Sequence, residues 1–149
     1  MTRSKPLVTV AKITTDRERD AAREMSHSRG EMDVHAERLE ELNNYRQQYL
    51  QQFQAASKRG LGVVQMQEYQ IFLGRLDEAI NQQQKLLEAS RSAHEERQKL
   101  WLSLRGKVKA LDKIIHQRQQ QKNAEQSRRE QGESDDQSCS LAHWKTLSY

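Results

Sequence analysis

Apolar residues recur along this chain at alternating spacings of three and four, the period of an α-helix that buries one face. The pattern is clearest in the second half. There the first position (a) of a seven-residue repeat is occupied by Leu73, Ile80, Leu87, His94, Trp101, Val108 and Ile115. The fourth position (d) is occupied by Tyr69, Leu76, Gln83, Ser90, Arg97, Leu104, Leu111 and Arg118, and is polar in the middle. This pattern predicts one helix from about residue 64 to about residue 122.

The first half carries the same repeat with more interruptions. Its a positions are Ala11, Glu18, Met25, Met32, Leu39, Arg46 and Phe53. Its d positions are Leu7, Thr14, Ala21, Ser28, His35, Leu42, Tyr49 and Ala56. Ser4 and Pro6 favour a helix start, because proline loses no useful hydrogen bond in the first turn. These features predict a helix over about residues 5–57.

Between the two stripes lies the segment Lys58-Arg59-Gly60-Leu61-Gly62, whose two glycines suit a helix stop and a tight reversal. A reversal over residues 58–63 brings small side chains opposite large ones and polar ones opposite polar ones. The predicted pairs are Leu42 with Ile80, Phe53 with Tyr69, Ala21 with Trp101, and Ser28 with His94. The sequence therefore predicts an all-α fold, an antiparallel two-helix coiled coil that forms a long α-hairpin over residues 1–122.

The apolar period stops near residue 123, and Glu130–Ser140 (EQGESDDQSCS) is polar. We therefore expect residues 123–149 to form a disordered, flexible tail. Leu141, Trp144, Leu147 and Tyr149 are spaced like one helical face. That spacing fits either a short docking motif or a merely exposed apolar end.

Composition narrows the class of protein. Apolar residues are 34% of the 149, against roughly 45–50% in globular chains, and charged residues are 31%. Six glycines and one proline are too few for sheets rich in turns. The formal net charge of +4 gives little reason to expect nucleic-acid binding.

Sequence features also bear on where the protein resides. No apolar run approaches 18 residues, so we expect no direct membrane insertion. The N-terminal segment MTRSKPLVTV lacks the features of a secretion signal. Cys139 is the single cysteine, so no intramolecular disulfide can form, and we expect a cytoplasmic protein.

No catalytic, cofactor-binding or metal-binding constellation is recognisable, and we expect no enzymatic activity. The five histidines are scattered without the spacing of a helical metal pair. Gly60-Leu61-Gly62 is followed by two valines and lacks the lysine of a phosphate-binding loop. Ser28 opposite His94 suggests either a pH-sensitive polar layer or a loosely packed, hydrated middle of the coil.

Five of the eight aromatic residues cluster around the bend: Tyr45, Tyr49, Phe53, Tyr69 and Phe72. Tyr45 and Phe72 fall on the flank of the seam, where a two-stranded coil cannot fully cover them. The cluster fits a partner-binding patch or a hydrophobic clasp that closes the hairpin.

Positive charge concentrates farther along the second helix. The basic residues are Arg97, Lys99, Arg105, Lys107, Lys109, Lys113, Arg118, Lys122, Arg128 and Arg129, against Asp112 and Glu125. In the hairpin this stretch would lie beside Asp16, Glu18, Asp20 and Glu24. It fits a solvated face or a surface that enters an acidic ring or groove.

The tyrosines before the bend, the block YQIFLGRLDEAI over residues 69–80, and Trp101 with the basic helix after it resemble the FliJ family. That family is the small coiled-coil component of the bacterial flagellar type III export apparatus. The resemblance implies a non-enzymatic, stalk-like hairpin that inserts into the export ATPase hexamer and stimulates it. It also implies contacts with the cytoplasmic part of the membrane export gate and with export chaperones, and hence peripheral association with the inner-membrane export apparatus.

The resemblance further implies site residues. The gate-binding patch maps to Leu42, Tyr45, Tyr49, Phe72, Leu76 and Ala79. Its edges at Arg38 and Gln83 depart from the family pattern. The ATPase-ring contact maps to the basic stretch, with Arg97, Lys99, Arg105, Lys107, Lys109 and Lys113 as candidates. An alternative function is that of an escort chaperone or holdase for exported flagellar subunits or their chaperones.

Overall fold

The computed structural model describes residues 4–147, which form two helices. Helix α1 spans Ser4–Arg59 and helix α2 spans Val63–Leu147, so the predicted reversal at the glycine-bearing segment is confirmed. No strand occurs within the described residues. Pro6 lies in the first turn of α1, as the sequence suggested.

Backbone contacts divide the chain into two units, Arg17–Leu104 and Met1–Asp16 with Arg105–Tyr149. In the first unit the helices run antiparallel. Ser28 Oγ lies 3.0 Å from His94 Nδ1, and the rings of Phe53 and Tyr69 have centroids 5.1 Å apart. Both pairs were predicted from the sequence, so the register of this hairpin follows from its repeat.

The a and d positions form the seam between the helices. Each of these positions from Leu7 to Ala56 in α1 and from Tyr69 to Ile115 in α2 is buried or half-buried, with the exception of Arg97. The most buried apolar side chains are Ala11, Ala21, Leu76 and Ile80. Among the described residues no large side chain is fully buried, as expected where only two helices cover one another.

The middle of the seam in the first unit is polar and hydrogen-bonded. Ser28 is 3% exposed, and its hydroxyl donates to the Met25 carbonyl at 2.8 Å besides contacting His94. Gln83 is 8% exposed, and its Nε2 donates to the His35 carbonyl at 3.1 Å and contacts His35 Nδ1 at 3.1 Å. Of the two interpretations of this region, the bonded polar layer fits better than a loose, hydrated one.

The bend uses its two glycines differently. Gly60 has φ of 92°, a left-handed conformation, and its N–H donates to the Ser57 carbonyl at 3.2 Å. This is how many helices end, since glycine lacks the Cβ that disfavours positive φ. The Gly62 carbonyl accepts the Met66 N–H at 3.0 Å, so Gly62 caps the start of α2.

In the second unit, the start of α1 packs against the later part of α2. Ala11 is 8% exposed. Leu7, Val8, Ile115, Arg118, Gln119 and Lys122 line a hollow of about 150 Å³. Past Ile115, every described residue of α2 is exposed.

The prediction of a disordered tail is wrong for the described residues, because α2 continues without interruption to Leu147. Residues 117–130 are mostly Gln, Lys, Arg, Glu and Ala, which are strong helix formers. The loss of the apolar period removes the buried face but leaves this backbone preference intact. Tyr149, part of the suggested apolar face, lies outside the described residues.

Candidate partner-binding surfaces

The aromatic residues near the bend form one contact cluster across the two helices. Tyr49 lies at its centre, with ring centroids 4.4 Å from Phe72 and 5.1 Å from Tyr69. Tyr45 meets Phe72 edge to face at 6.1 Å, and Phe53 meets Tyr69 at 5.1 Å. Such pairs add about 0.5–1.5 kcal/mol each beyond the area they bury. The cluster therefore holds this end of the hairpin closed.

The same cluster presents apolar surface on one flank. Tyr45 is 50% exposed, whereas Tyr49 and Phe72 are half-buried. The sequence predicted that Tyr45 and Phe72 lie on the flank, and Tyr45 is the more exposed of the two. The clasp and the presented surface thus share side chains, so the two interpretations of the aromatic cluster are compatible.

The other predicted patch residues lie in the same unit on the two facing helices. Leu76 is 7% exposed and belongs to the seam, while Leu42 and Ala79 are half-buried. Leu42 and Tyr45 also line a shallow hollow of about 440 Å³, together with Arg38, Glu41 and Gln83. Leu76 supports this surface from beneath and contributes little to what a partner would touch.

An ion pair borders the patch. Arg46 Nε donates to Asp77 Oδ1 at 2.6 Å, joining α1 to α2, and both side chains are partly exposed. Exposed pairs of this kind contribute about 0–1 kcal/mol. The pair fixes the polar rim of the surface more than it stabilises the fold.

The environment of Tyr49 disfavours its ionised form. Burial raises the pKa of Tyr49 above its ordinary value of 10.0, and the neighbouring Tyr69, Tyr45 and Glu68 raise it further. A neutral phenol at physiological pH suits a cluster that packs rings together.

The candidate ATPase-contact residues all lie exposed on α2, in two units. Arg97 and Lys99 belong to the first unit, where Arg97 Nη1 bonds Glu24 Oε2 at 2.9 Å. The other four belong to the second unit. There Arg105, Lys109 and Lys113 follow one another at intervals of four residues, which places them on one face of the helix.

Some features of the hairpin were not predicted from the sequence. Trp101 was expected opposite Ala21, and its indole N–H donates to Glu18 Oε1 at 2.9 Å, one turn away. Gln83 was predicted both at a d position and at the edge of the patch, and it lines the hollow beside Leu42 and Tyr45, but its bond to His35 was not predicted. The signal available beforehand was the polar character of both d positions, His35 and Gln83.

Two kinds of site, a membrane span and a cluster of metal ligands, are absent from the described residues 4–147. No helix there is both long and apolar enough to cross a membrane. No group of three or more His, Cys, Asp or Glu side chains there is placed to hold a metal ion.

The two helices, the seam of a and d positions and the ring contacts between them define a coiled-coil hairpin protein. The family described as "Flagellar FliJ protein" matches residues 3–146, so the chain belongs to the flagellar FliJ protein family. It is therefore a non-catalytic component of the flagellar export apparatus. No curated protein and no solved structure matches the chain.

Proposed function

We propose that this protein couples the flagellar export ATPase hexamer to the cytoplasmic part of the membrane export gate. One observation carries the proposal: this chain, a member of the FliJ family, has both an aromatic flank and a separate exposed basic stretch. Both are surface types that partners recognise, the first by burial of rings and the second by charge. The protein acts in the cytoplasm, at the periphery of the inner-membrane export apparatus.

The gate-binding surface consists of Leu42, Tyr45, Tyr49, Phe72 and Ala79, and the buried Leu76 belongs to the site as the side chain beneath them. Tyr45 supports this assignment most directly because half of its surface is exposed although its ring packs on Phe72. An aromatic side chain held in place by a neighbour loses little conformational freedom on binding. The gate protein would then cover Tyr45 and the outer edge of Phe72.

Replacement of Tyr45 and Phe72 by alanine tests the gate contact. We expect affinity for the gate protein to fall by at least about thirtyfold, the effect of losing one aromatic hot spot, with loss of swimming motility. Circular dichroism should still show a helical chain. The matched control replaces Leu100 and Leu102, which are 51% and 54% exposed elsewhere on α2. Normal gate affinity in the double aromatic variant would contradict the assignment.

The ATPase contact is assigned to Arg97, Lys99, Arg105, Lys107, Lys109 and Lys113. Support comes from the stripe of Arg105, Lys109 and Lys113 on one helix face and from the exposure of all six side chains. Charged groups of this kind mainly accelerate association and select an acidic partner.

ATP hydrolysis and ring formation by the cognate export ATPase, with and without this protein in stoichiometric amounts, test the ATPase contact. We expect stimulation together with hexamer assembly. Lys109→Glu with Lys113→Glu should weaken the apparent affinity by roughly tenfold at low salt. Lys58→Glu with Arg59→Glu, in the last turn of α1, is the matched control. If the wild-type chain leaves a ring-forming ATPase unchanged but suppresses aggregation of unfolded export substrates, the escort-chaperone function replaces this one.

A further inference from the structure

The last part of α2 is exposed along its described length, although Arg118, Gln119 and Lys122 share a hollow with Leu7 and Val8 of α1. From His116 to Leu147 every residue is exposed, and α2 extends about thirty residues past Ile115. We call residues 118–147 the extension. In proteins most of the stability of a helix comes from the packing of one of its faces, and every residue of the extension is exposed. A second helix packed along it would add the stability that the extension lacks.

The extension ends in a cluster of large apolar side chains. Leu141, Trp144 and Leu147 are 64%, 71% and 66% exposed. Trp144 follows Val108, and Leu147 follows Leu111, by 36 residues, which is about ten helical turns. Trp144 and Leu147 therefore lie on the side of α2 that carries the half-buried seam residues Val108 and Leu111. This end of the helix continues the seam face, and its three large apolar side chains are mostly exposed.

Charge changes sign within the extension, which is basic over residues 118–129 and acidic over residues 130–140, with Lys145 beyond the acidic segment. Residues 118–129 contain Arg118, Lys122, Arg128 and Arg129 against the single acidic residue Glu125. Residues 130–140 contain Glu130, Glu133, Asp135 and Asp136 and no basic residue. When two copies of such a helix pair antiparallel, each basic segment lies along the other's acidic segment. Parallel pairing would instead place like charges together.

The hollow of about 150 Å³ in the second unit has the chemistry to receive an indole. Leu7, Val8 and Ile115 supply apolar wall, and Arg118 and Lys122 supply cations. Val8 is 52% exposed, so this wall is open to solvent. Cations over an aromatic face add attraction to the burial of the ring. A cavity of about 150 Å³ is large enough to bind benzene, so the volume of the hollow suits about one aromatic ring.

The position of the hollow and the charge pattern agree on one arrangement. The midpoint between Trp144 and Arg118 is residue 131, and the sign of the charge changes between Arg129 and Glu130. An antiparallel pairing centred there matches opposite charges and brings each Trp144 to the other chain's hollow. We propose that the extension binds a second copy of this chain, with Trp144 of each copy in the hollow of the other.

Sedimentation of the full chain over a wide concentration range tests the dimer. We expect a concentration-dependent dimer whose dissociation constant rises by at least about thirtyfold in Trp144→Ser. Val34→Ser is the matched control, because Val34 is exposed (45%) in the other unit. A wild-type chain that stays monomeric throughout overturns the proposal, as does a Trp144→Ser chain that dimerises normally.

Charge reversal tests the orientation. One chain carries Arg128→Glu with Arg129→Glu, and a second carries Glu133→Lys with Asp136→Lys. Each alone should lose the dimer, whereas their mixture should form a heterodimer. A chain carrying all four substitutions should dimerise again, since its two segments are once more opposite in charge. Loss of the dimer in the fourfold variant overturns the antiparallel arrangement.

The alternative to the dimer is an extension that bends back, so that Trp144 enters the hollow of its own chain. It predicts a monomer in which the fluorescence that Trp144→Ser removes is that of a buried indole at every concentration. That result overturns the proposal and is distinct from failure of the ATPase or gate contacts, which use other residues.

Discussion

Tyr49 joins the two helices of the hairpin through its ring rather than through its hydroxyl. Its contacts with Tyr69 and Phe72 place a titratable phenol in an apolar cluster. The pKa of Tyr49 is raised by this burial and by the neighbouring tyrosines and Glu68. Stability of the hairpin near the bend is therefore linked to the proton on this group.

Tyr49→Phe keeps the ring and removes the titrating group. The pKa of Tyr49 is raised in the folded chain, so folding favours the neutral phenol. Its contribution to the free energy of unfolding is fully present below the ordinary pKa of 10.0 and is lost as the pH rises above that value. We expect the wild-type chain to lose more stability than Tyr49→Phe between about pH 9 and pH 11. Urea denaturation followed by circular dichroism at each pH measures this difference, and parallel curves for the two proteins would contradict it.

At the residue scale the sequence predicted which residues face each other across the seam better than it predicted the hydrogen bonds between their side chains. The repeat placed Ser28 opposite His94 and Phe53 opposite Tyr69, and both pairs are present. It did not predict that Gln83 would bond His35, because that bond depends on side-chain rotamers as well as on register. Polar d positions show where the seam is interrupted but leave the partner of each side chain open.

At the scale of elements, apolar period and helix formation proved to be separate properties. Residues 123–147 lack the period and were expected to be flexible, yet they are helical. The period reports which face is buried, whereas the backbone responds to propensity as well. Glu, Gln, Lys, Arg and Ala maintain the helix through Gly132 in a segment with no proline.

The bend offers a matched pair of glycines for a test. Gly60 has positive φ, so Gly60→Ala forces a Cβ into a strained conformation, although no atom lies within 4 Å of it. We expect a loss of about 1 kcal/mol in the free energy of unfolding. Gly62 has neither a positive φ nor a close neighbour, so Gly62→Ala should cost about half as much, through the poorer N-cap that alanine makes. Equal losses, measured by urea denaturation, would contradict the separate roles of the two glycines.

At the scale of the whole molecule, stability is expected to vary along the chain. The buried residues are few, and Leu76, Ile80 and Gln83 of α2 lie close together. Every residue from 116 to 147 of the same helix is exposed. Family membership and the hairpin were accessible from the sequence because both depend on the repeat and the aromatic block. The continuation of α2 to Leu147 was not predicted, because it depends on helix propensity and not on the apolar repeat.

Amide hydrogen exchange measures this variation directly. In dilute solution we expect protection factors of about ten or less across residues 119–147, because an isolated helix opens readily. Amides near Leu76, Ile80 and Gln83 should exchange at least about a hundredfold more slowly, since they open only when the seam separates. At higher concentration the proposed dimer should slow exchange in the extension, and Trp144→Ser should remove that gain. Strong protection of the extension in dilute solution would show that it packs within its own chain, because a single exposed helix has no buried contacts to hold it closed.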